Sequence, residues 1–525
     1  MTNTCHQDVM RFYDEGLRPW RTIPTNDATP FVHRFQTPGQ KYVYDVNTRR
    51  ILRVSSLAWD IIEDYGHLDT EQLLLKYSPP HTASDIAAAI AHIESTRQQG
   101  LLLSVRPSEI LPPSREYLQR KLGDEREQLI LNVTEDCNLR CSYCVFGSSY
   151  QQFRQHSRKT MSWDVARAAI DDFLMHSGQY ESRVISFYGG EPLLSLPLIR
   201  QSVAYAKEKT ADLPVRFSLT TNGMLLKGQA ARFLADERFA ILVSLDGPAA
   251  IHDLNRRTAS NSPSWARVTS NLRRFLEDFP EYQTNGMLRF SSVATPAMDL
   301  REIRDFWNSC GLFTDAMGLE ISGQRPTEAE SRPLPPESPL AMTVPLLHED
   351  FISALKQGSW AGEYHDKQRW VEASVFQRPF LLFHKRDYLT PHLPEKMVLQ
   401  STCTPGARRV FVNTEGDYFA CERVVPCEAQ KIGDVRQGVQ LDKVMALLGN
   451  WTKSSPEQCR FCWCVSHCHV GCLATVGQDG QVSREAKTRA CAMCRRQLHG
   501  ILCQYAAILE ENPHAFDYSE NVEFS

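Results

Sequence analysis

Cys137, Cys141 and Cys144 fall within eight residues, spaced C-x3-C-x2-C in the stretch that runs from Thr134 to Gly147. Three thiolates on one short loop can hold three irons of a cubane iron–sulfur cluster and leave the fourth iron without a ligand from the loop. That open iron is where chemistry can occur. A structural zinc site would require a further Cys or His nearby, and the segment from Asp136 to Tyr150 supplies none beyond the three. A disulfide with a spare thiol does not suit a chain without secretory features.

The elements that must position this loop are legible around it. Leu129-Ile130-Leu131-Asn132-Val133 reads as a short buried strand leading into it. Downstream, Ser162 caps a helix beginning at Trp163, and Val184–Tyr188 is a strand that runs into Gly189-Gly190-Glu191-Pro192. Two glycines let backbone approach a ligand closely, the proline fixes the exit from the strand, and Glu191 presents a carboxylate to a cationic amine. Alone such a loop is an ordinary turn; its place after the cysteine loop gives it weight. Further strands end at Thr221-Asn222-Gly223 and Asp246-Gly247-Pro248, and another spans Leu288–Val293. Alternating strands and helices imply parallel strands with crossover helices, and chemistry at the strand C-termini. Asn222, Ser244 and Asp246 are therefore candidates, although Asn-Gly and Asp-Gly are also turn formers. Arg256 could bind a carboxylate or be a solvated arginine.

The cysteine motif after a first strand, with the aromatic Tyr143 directly before the third cysteine, resembles that of the radical S-adenosylmethionine (AdoMet) enzymes. The resemblance implies a partial (β/α)6 barrel whose Cys137, Cys141 and Cys144 hold a [4Fe–4S] cluster. The open iron would chelate the amino and carboxylate groups of AdoMet. One electron, from a flavodoxin or ferredoxin, would release a 5′-deoxyadenosyl radical that takes a hydrogen from the substrate. Gly189, Gly190 and Glu191 would hold the amino group, and Tyr143, Asn222, Ser244 and Arg256 would complete the cofactor site.

Eleven of the 16 cysteines lie after residue 400, a density that in a long intracellular chain points to metal. Their register is C-x12-G-x4-C from Cys403 through Gly416 to Cys421, then Cys459-x2-Cys462-x5-Cys468-x3-Cys472, then Cys491 and Cys494. C-x2-C is also a zinc knuckle, while thiolate-only ligation suits iron–sulfur clusters. The register resembles the SPASM domain of peptide-modifying radical enzymes and implies two auxiliary [4Fe–4S] clusters, three clusters in all. Cys459, Cys462, Cys468 and Cys491 would hold the outer one, with Cys494 as a substitute for Cys491. Cys403, Cys421 and Cys472 would hold the inner one, with Cys427 or an open iron at the fourth position. Glu422 would face the barrel mouth as a base, or form a surface pair with Arg423. Cys5, Cys310, Cys464 and Cys503 read as inert buried thiols.

Length and charge bound the rest. A chain of 525 residues implies two to four domains, and a formal net charge of −4 offers no general attraction to nucleic acid or anionic membrane. There is no run of eighteen apolar residues and no signal-like N-terminus, so a cytoplasmic protein is expected. The expected organisation is an N-terminal arm (1–27), a strand-turn-strand unit with three helices (28–106), a linker with one exposed helix (107–127), the barrel (128–322), a bridge (323–400), the cysteine-rich domain (401–500) and a tail (501–525). The second unit resembles the winged-helix-like, PqqD-like domains that bind a leader peptide as an added strand. Together these resemblances imply a maturase of a ribosomally made precursor peptide, thioether formation from a cysteine sulfur being preferred over C–C or C–O crosslinking. A formylglycine-forming sulfatase maturase and a non-catalytic iron–sulfur scaffold that binds peptide are the alternatives.

Overall fold

The computed structural model describes residues 28–147, 155–178, 183–210, 214–314, 316–323, 334–360, 369–386, 392–398, 403–455, 457–468, 470–475 and 484–521. The expected arm, 1–27, lies outside them.

The chain begins with an antiparallel sheet of β1 (Val32–Gln36), β2 (Lys41–Asp45) and β3 (Ile51–Val54), in that order. Sequence pattern marks β2 and β3 but not β1, where His33, Arg34 and Gln36 interrupt the apolar alternation. Helices α1 (Ser56–Ile61), α2 (Thr70–Tyr77) and α3 (Ala83–Gln98) follow, capped by Ser55, Asp69 and Thr82, whose side chains accept from early backbone N–H groups. One sheet face, through Val43, packs on Ile61, Ile86 and Ile93. The other face, through Phe35 and Tyr44, joins the main core.

The expected linker holds β4 (Glu109–Leu111) and α4 (Arg115–Asp124). Then come β5 (Gln128–Thr134), α5 (Trp163–Met175), β6 (Arg183–Gly189), α6 (Leu196–Lys209), β7 (Val215–Thr221), α7 (Gly228–Asp236), β8 (Ala240–Ser244), α8 (Ala249–Asn255), α9 (Trp265–Asp278), β9 (Leu288–Ala294), α10 (Leu300–Ser309) and β10 (Gly318–Gly323). All six strands β5 to β10 pair parallel in chain order, as the strand–helix alternation predicts. Their alternate residues separate into two faces. Phe187 and Phe217 meet Phe239, and Phe290 meets Trp307 of α10, so this face is covered by the helices and what precedes β8. The opposite, inner face carries Ser186, Tyr188, Ser218, Thr220, Ser244 and Ser291, most of them half-buried.

Helix α11 (Pro339–Lys356) and a helical run α12 (370–384), with a π turn at Ala373–Gln377, form the bridge. Strand β11 (Lys396–Val398) pairs parallel with β4, tying the bridge to the linker. The cysteine-rich region then extends the barrel sheet. Strand β12 (Arg409–Val412) pairs parallel with β5, and β13 (Asp417–Phe419), β14 (Lys431–Asp434) and β15 (Gly438–Val439) add antiparallel beyond it. The sheet has ten strands, in the order β10-β9-β8-β7-β6-β5-β12-β13-β14-β15. Helices α13 (Leu441–Lys453) and α14 (Arg484–Glu511) complete the chain.

Helix α14 crosses the boundary expected at 500, so 501–511 is no separate tail. Its buried residues run through Leu498, Leu502, Tyr505 and Ile508. The helix also seats the N-terminal sheet: Tyr42 Oη donates to Glu510 (2.8 Å), and the His33 and His499 rings share a 2.8 Å hydrogen bond. His33 stacks on Trp463 with centroids 3.7 Å apart, and Tyr44 Oη bonds His467 (3.0 Å). Among the described residues no helix is long and apolar enough to cross a membrane.

Candidate active site

The cysteine loop leaves β5 at Thr134 and folds back on itself. Cys137 N–H donates to Asp136 Oδ1 (2.8 Å), Leu139 N–H to Cys137 Sγ (3.4 Å) and Cys144 N–H to the Cys141 carbonyl (3.1 Å). The end of α8 clasps the loop from outside, where Ser142 bonds Asn255 through both its N–H and its hydroxyl, and Arg140 N–H donates to Arg257 O (2.7 Å). Cys137 feels the charge of Cys141 and Cys144, and Cys141 that of Cys144. Burial pushes Cys137 up to about 12 and Cys141 up to about 11. Thiols so placed stay protonated at neutral pH until a cation displaces the proton, which is the donor set an iron–sulfur cluster takes.

The Gly-Gly-Glu-Pro loop packs directly against this one. A Cβ on Gly189, whose φ is +145°, would lie 2.2 Å from Thr134 O, and one on Gly190 would lie 2.1 Å from Asp136 O. Gly190 N–H donates to Thr134 O and Glu191 N–H to Asp136 O, each at 2.8 Å. The close approach that the glycines permit is therefore made to the cysteine loop's own backbone. Glu191 also departs from expectation. Its side chain is fully buried and accepts from Thr221 Oγ1 (2.8 Å), Asn222 N–H (2.8 Å) and Leu193 N–H (3.1 Å). Burial pushes its carboxyl up to about 7 despite these donors. The carboxylate is thus not presented to a ligand amine: it ties the end of β6 to the end of β7, and the loop has its main chain to offer.

Asn222 sits where the two loops meet. Its amide Nδ2 donates to Asn138 Oδ1 (2.7 Å) and lies 3.6 Å from Cys137 Sγ. Tyr143 and Arg256 converge on Asp246, just past the end of β8 and fully buried. Tyr143 Oη donates to Asp246 Oδ2, Arg256 Nε donates to the same oxygen (3.0 Å), and Val293 N–H takes Oδ1 (3.1 Å). The Arg256 guanidinium lies 5.3 Å from the Tyr143 ring centroid. Arg256 is thus not a solvated arginine: it is buried, with its Nε held by Asp246. Ser244 ends β8 half-buried on the inner face.

Sequence reasoning singled out Arg256 on its helix and missed its neighbours. His252 lies 3.4 Å from Asp246 N and shares a 3.0 Å hydrogen bond with Ser264, and Asn255 holds the cysteine loop. Burial and then the Arg256 charge push the His252 imidazole down to about 4. Residues 252, 255 and 256 stand three and four apart, on α8 and the residue that ends it, a spacing present in the chain.

In the cysteine-rich region that caps the barrel, burial and then the neighbouring Cys472 push the Cys403 thiol up, and burial, with Cys403 and Cys472 among its neighbours, pushes Cys421 up to about 11. Cys427 lies six residues past Cys421, at the start of the turn Glu428–Gln430. Glu422 lies 4.0 Å from Arg423, the pair expected as its alternative role. It pairs with Arg409 (3.6 Å), the first residue of β12, which is in register with Gln128 at the start of β5. Since β12 runs parallel to β5, this group lies at the opposite end of the sheet from Cys137. Cys459, Cys462, Cys468 and Cys491 line a second cavity with Trp451 and Lys487. Cys464 and Cys494 line it as well, with Cys462 and Cys464 sulfurs 3.3 Å apart, so Cys464 is no isolated core thiol. Among the described residues no three His, Cys, Asp or Glu side chains converge tightly enough for a single metal ion.

Comparison with known proteins agrees with this geometry. Residues 131–289 match the model of the Radical SAM superfamily. A cysteine-type anaerobic sulfatase-maturating enzyme of Clostridium perfringens (strain 13) is 30% identical over 157 residues, 30% of this chain and 41% of that protein. The radical SAM cyclopropyl synthase TigE of Paramaledivibacter caminithermalis is 22% identical over 271 residues, 49% of this chain and 51% of that protein. The chain thus spans about half or less of the length of these curated relatives. The solved structure of native anSMEcpe with bound AdoMet and Cp18Cys peptide shares the fold: TM-score 0.50, 18% identity, covering 76% of this chain and 99% of that one. Such a domain implies a [4Fe–4S] cluster and AdoMet, and the three neighbouring thiols on the loop after β5 fit that cluster. The chain therefore carries a radical SAM domain, homologous to that of the anaerobic sulfatase-maturating enzymes.

Proposed function

We propose that this chain is a radical SAM enzyme that modifies a ribosomally made precursor peptide, with thioether formation from a cysteine sulfur as the preferred reaction. The observation that carries the peptide reading is the sheet β1-β2-β3, in which β3 pairs with β2 on one side and its other edge bears no strand among the described residues. An open edge accepts an extended peptide through main-chain hydrogen bonds, and α14 fixes this sheet to the cap so that a bound leader is held at a constant distance from the barrel.

When bound, the cluster and AdoMet supply a 5′-deoxyadenosyl radical for hydrogen abstraction. Cys137, Cys141 and Cys144 would hold the cluster, with Asn222 beside Cys137 and with Tyr143 locked by Asp246. Gly189 and Gly190 let the next loop lie against them, so the main chain at Glu191 and the side chains of Asn222 and Ser244 border the space above the inner sheet face. The cap's cysteines would hold two auxiliary clusters. Cys403, Cys421 and Cys472 number one fewer than a cubane requires, which favours a substrate thiolate as the complement and hence a thioether product. An external flavodoxin or ferredoxin would deliver electrons, in a cytoplasmic setting.

The test is anaerobic reconstitution, iron and sulfide counting, then turnover with AdoMet, reductant and a candidate precursor peptide. Iron near three cubanes, 5′-deoxyadenosine release and a peptide lighter by two hydrogens are expected. A second reading, formylglycine formation, is favoured by the similarity to sulfatase-maturating enzymes and would yield an aldehyde instead. Full cluster loading with no AdoMet cleavage overturns both.

A further inference from the structure

The inner face of the barrel sheet lies between the two cysteine groups, and its charges do not balance. Among the described residues, four charged side chains of β5 to β10 and β12 border it. Arg409 of β12 is paired with Glu422, and Glu320 of β10 reaches Arg423 of the cap at 3.9 Å. That leaves Arg216 of β7 and Arg289 of β9. Both are exposed, and neither makes a hydrogen bond or an ion pair among the described residues.

Register fixes where they stand. Arg409, Gln128, Val184 and Arg216 are successive partners across β12, β5, β6 and β7, so Arg216 stands on the lowest rung of the inner face. Arg289 shares a higher rung with Thr220 and Leu242, four residues up β7 from Arg216, or ~13 Å at the usual strand rise. The Arg289 side chain crosses to β10 over Gly318, where a Cβ would lie 2.8 Å from Nε and 3.4 Å from Cζ. A glycine at this place leaves the guanidinium room over the backbone, where a side chain would collide with it. The hydroxyls of Thr220, Ser244, Ser291 and Ser322, on the same face, likewise have no hydrogen-bond partner among the described residues. By contrast, Gln128, Ser186 and Ser218 satisfy one another at 2.6 Å, so the wall is not simply polar throughout.

We propose that Arg216 and Arg289 form an anion-reading wall in the reaction chamber, and that the peptide segment admitted to it carries an acidic side chain near the residue to be modified. The proposal rests on the peptide-modifying reading and adds the chemistry of the substrate. A guanidinium with no partner among the described residues, on the same sheet face as hydroxyls that likewise have none, gains most from a carboxylate, which it can bind through two parallel N–H donors. The chain's net charge of −4 gives an acidic peptide no general attraction, so a preference for one must come from a local site.

The test uses the reconstituted full chain with AdoMet and two blocked, fluorescein-labelled decapeptides, one of alternating Gly and Asp and one of alternating Gly and Asn. Fluorescence anisotropy reads binding, so no radical chemistry is needed. The Asp peptide is expected to bind about tenfold tighter or more, with a preference that weakens as salt rises. Arg216→Gln and Arg289→Gln should each reduce the preference and together abolish it, while Arg289→Lys keeps part of it. Unchanged melting curves show that the variants fold, as side chains without partners predict. Equal affinity for the two peptides, no binding of either, or a preference that survives in the double variant overturns the proposal. If the Asp preference holds but no AdoMet is cleaved, the proposed function fails and the anion site stands.

Discussion

At the scale of single residues, the site is built from groups whose partners are other parts of the protein. Glu191 illustrates this. Removing its carboxylate in Glu191→Ala strands the Thr221 hydroxyl and the Asn222 and Leu193 amides, each buried, and is expected to cost about 3 kcal/mol of stability in chemical denaturation. AdoMet affinity should fall only as a consequence of the displaced loops. Asp246→Asn removes the charge that balances a buried guanidinium, and breaking such a pair costs about 3–5 kcal/mol. It should also free Tyr143, visible as a changed signal of the reduced cluster in electron paramagnetic resonance. Serine at Cys137, Cys141 or Cys144 should remove about one cluster's worth of iron and abolish 5′-deoxyadenosine release, and any iron bound by the auxiliary clusters proposed for the cap should stay.

At the scale of elements, two contacts decide how the machinery is held. The first is loop against loop. Gly190→Ala would set a methyl 2.1 Å from the Asp136 carbonyl, where neither backbone is a flexible chain end, so the loops must part. The expected cost is about 3 kcal/mol, with reduced iron retention on gel filtration. The second is the N-terminal sheet against the cap. His33→Ala deletes the stack on Trp463 and the bond to His499, and should loosen residues 28–106 by ~2 kcal/mol. Hydrogen exchange over β1 to β3 reads this directly: faster exchange there with an unchanged barrel is expected.

At the scale of the whole molecule, one sheet links the parts. Strand β12 pairs with β5, so the strand that carries the cysteine loop also carries the cap, and the two cysteine groups are set at opposite ends of it. Because buried thiols must lose protons to bind iron, removing iron under reducing conditions should lower the melting temperature, and anaerobic reconstitution should restore it.

The chain by itself determined what is local. Three cysteines in a loop after a buried strand, five of the six parallel strands with their intervening helices, and the helices of the N-terminal unit follow from periodicity, cap residues and spacing, which act over a few residues. What only the tertiary structure decided is long-range or directional. No pattern in Arg409–Val412 says that it will lie beside a strand some 280 residues earlier, and without that pairing Glu422 cannot be assigned to one end of the barrel. Strand β1 is polar by sequence because its two faces meet different neighbours. Glu191 and Arg256 carry the right charges for a ligand, yet the fold spends both internally, since a buried charge must find its partners within the protein. Arg216 and Arg289 look like ordinary surface residues in the sequence. Their meaning comes from the curl of the sheet, which turns a polar face inward and leaves those two cations without a partner among the described residues.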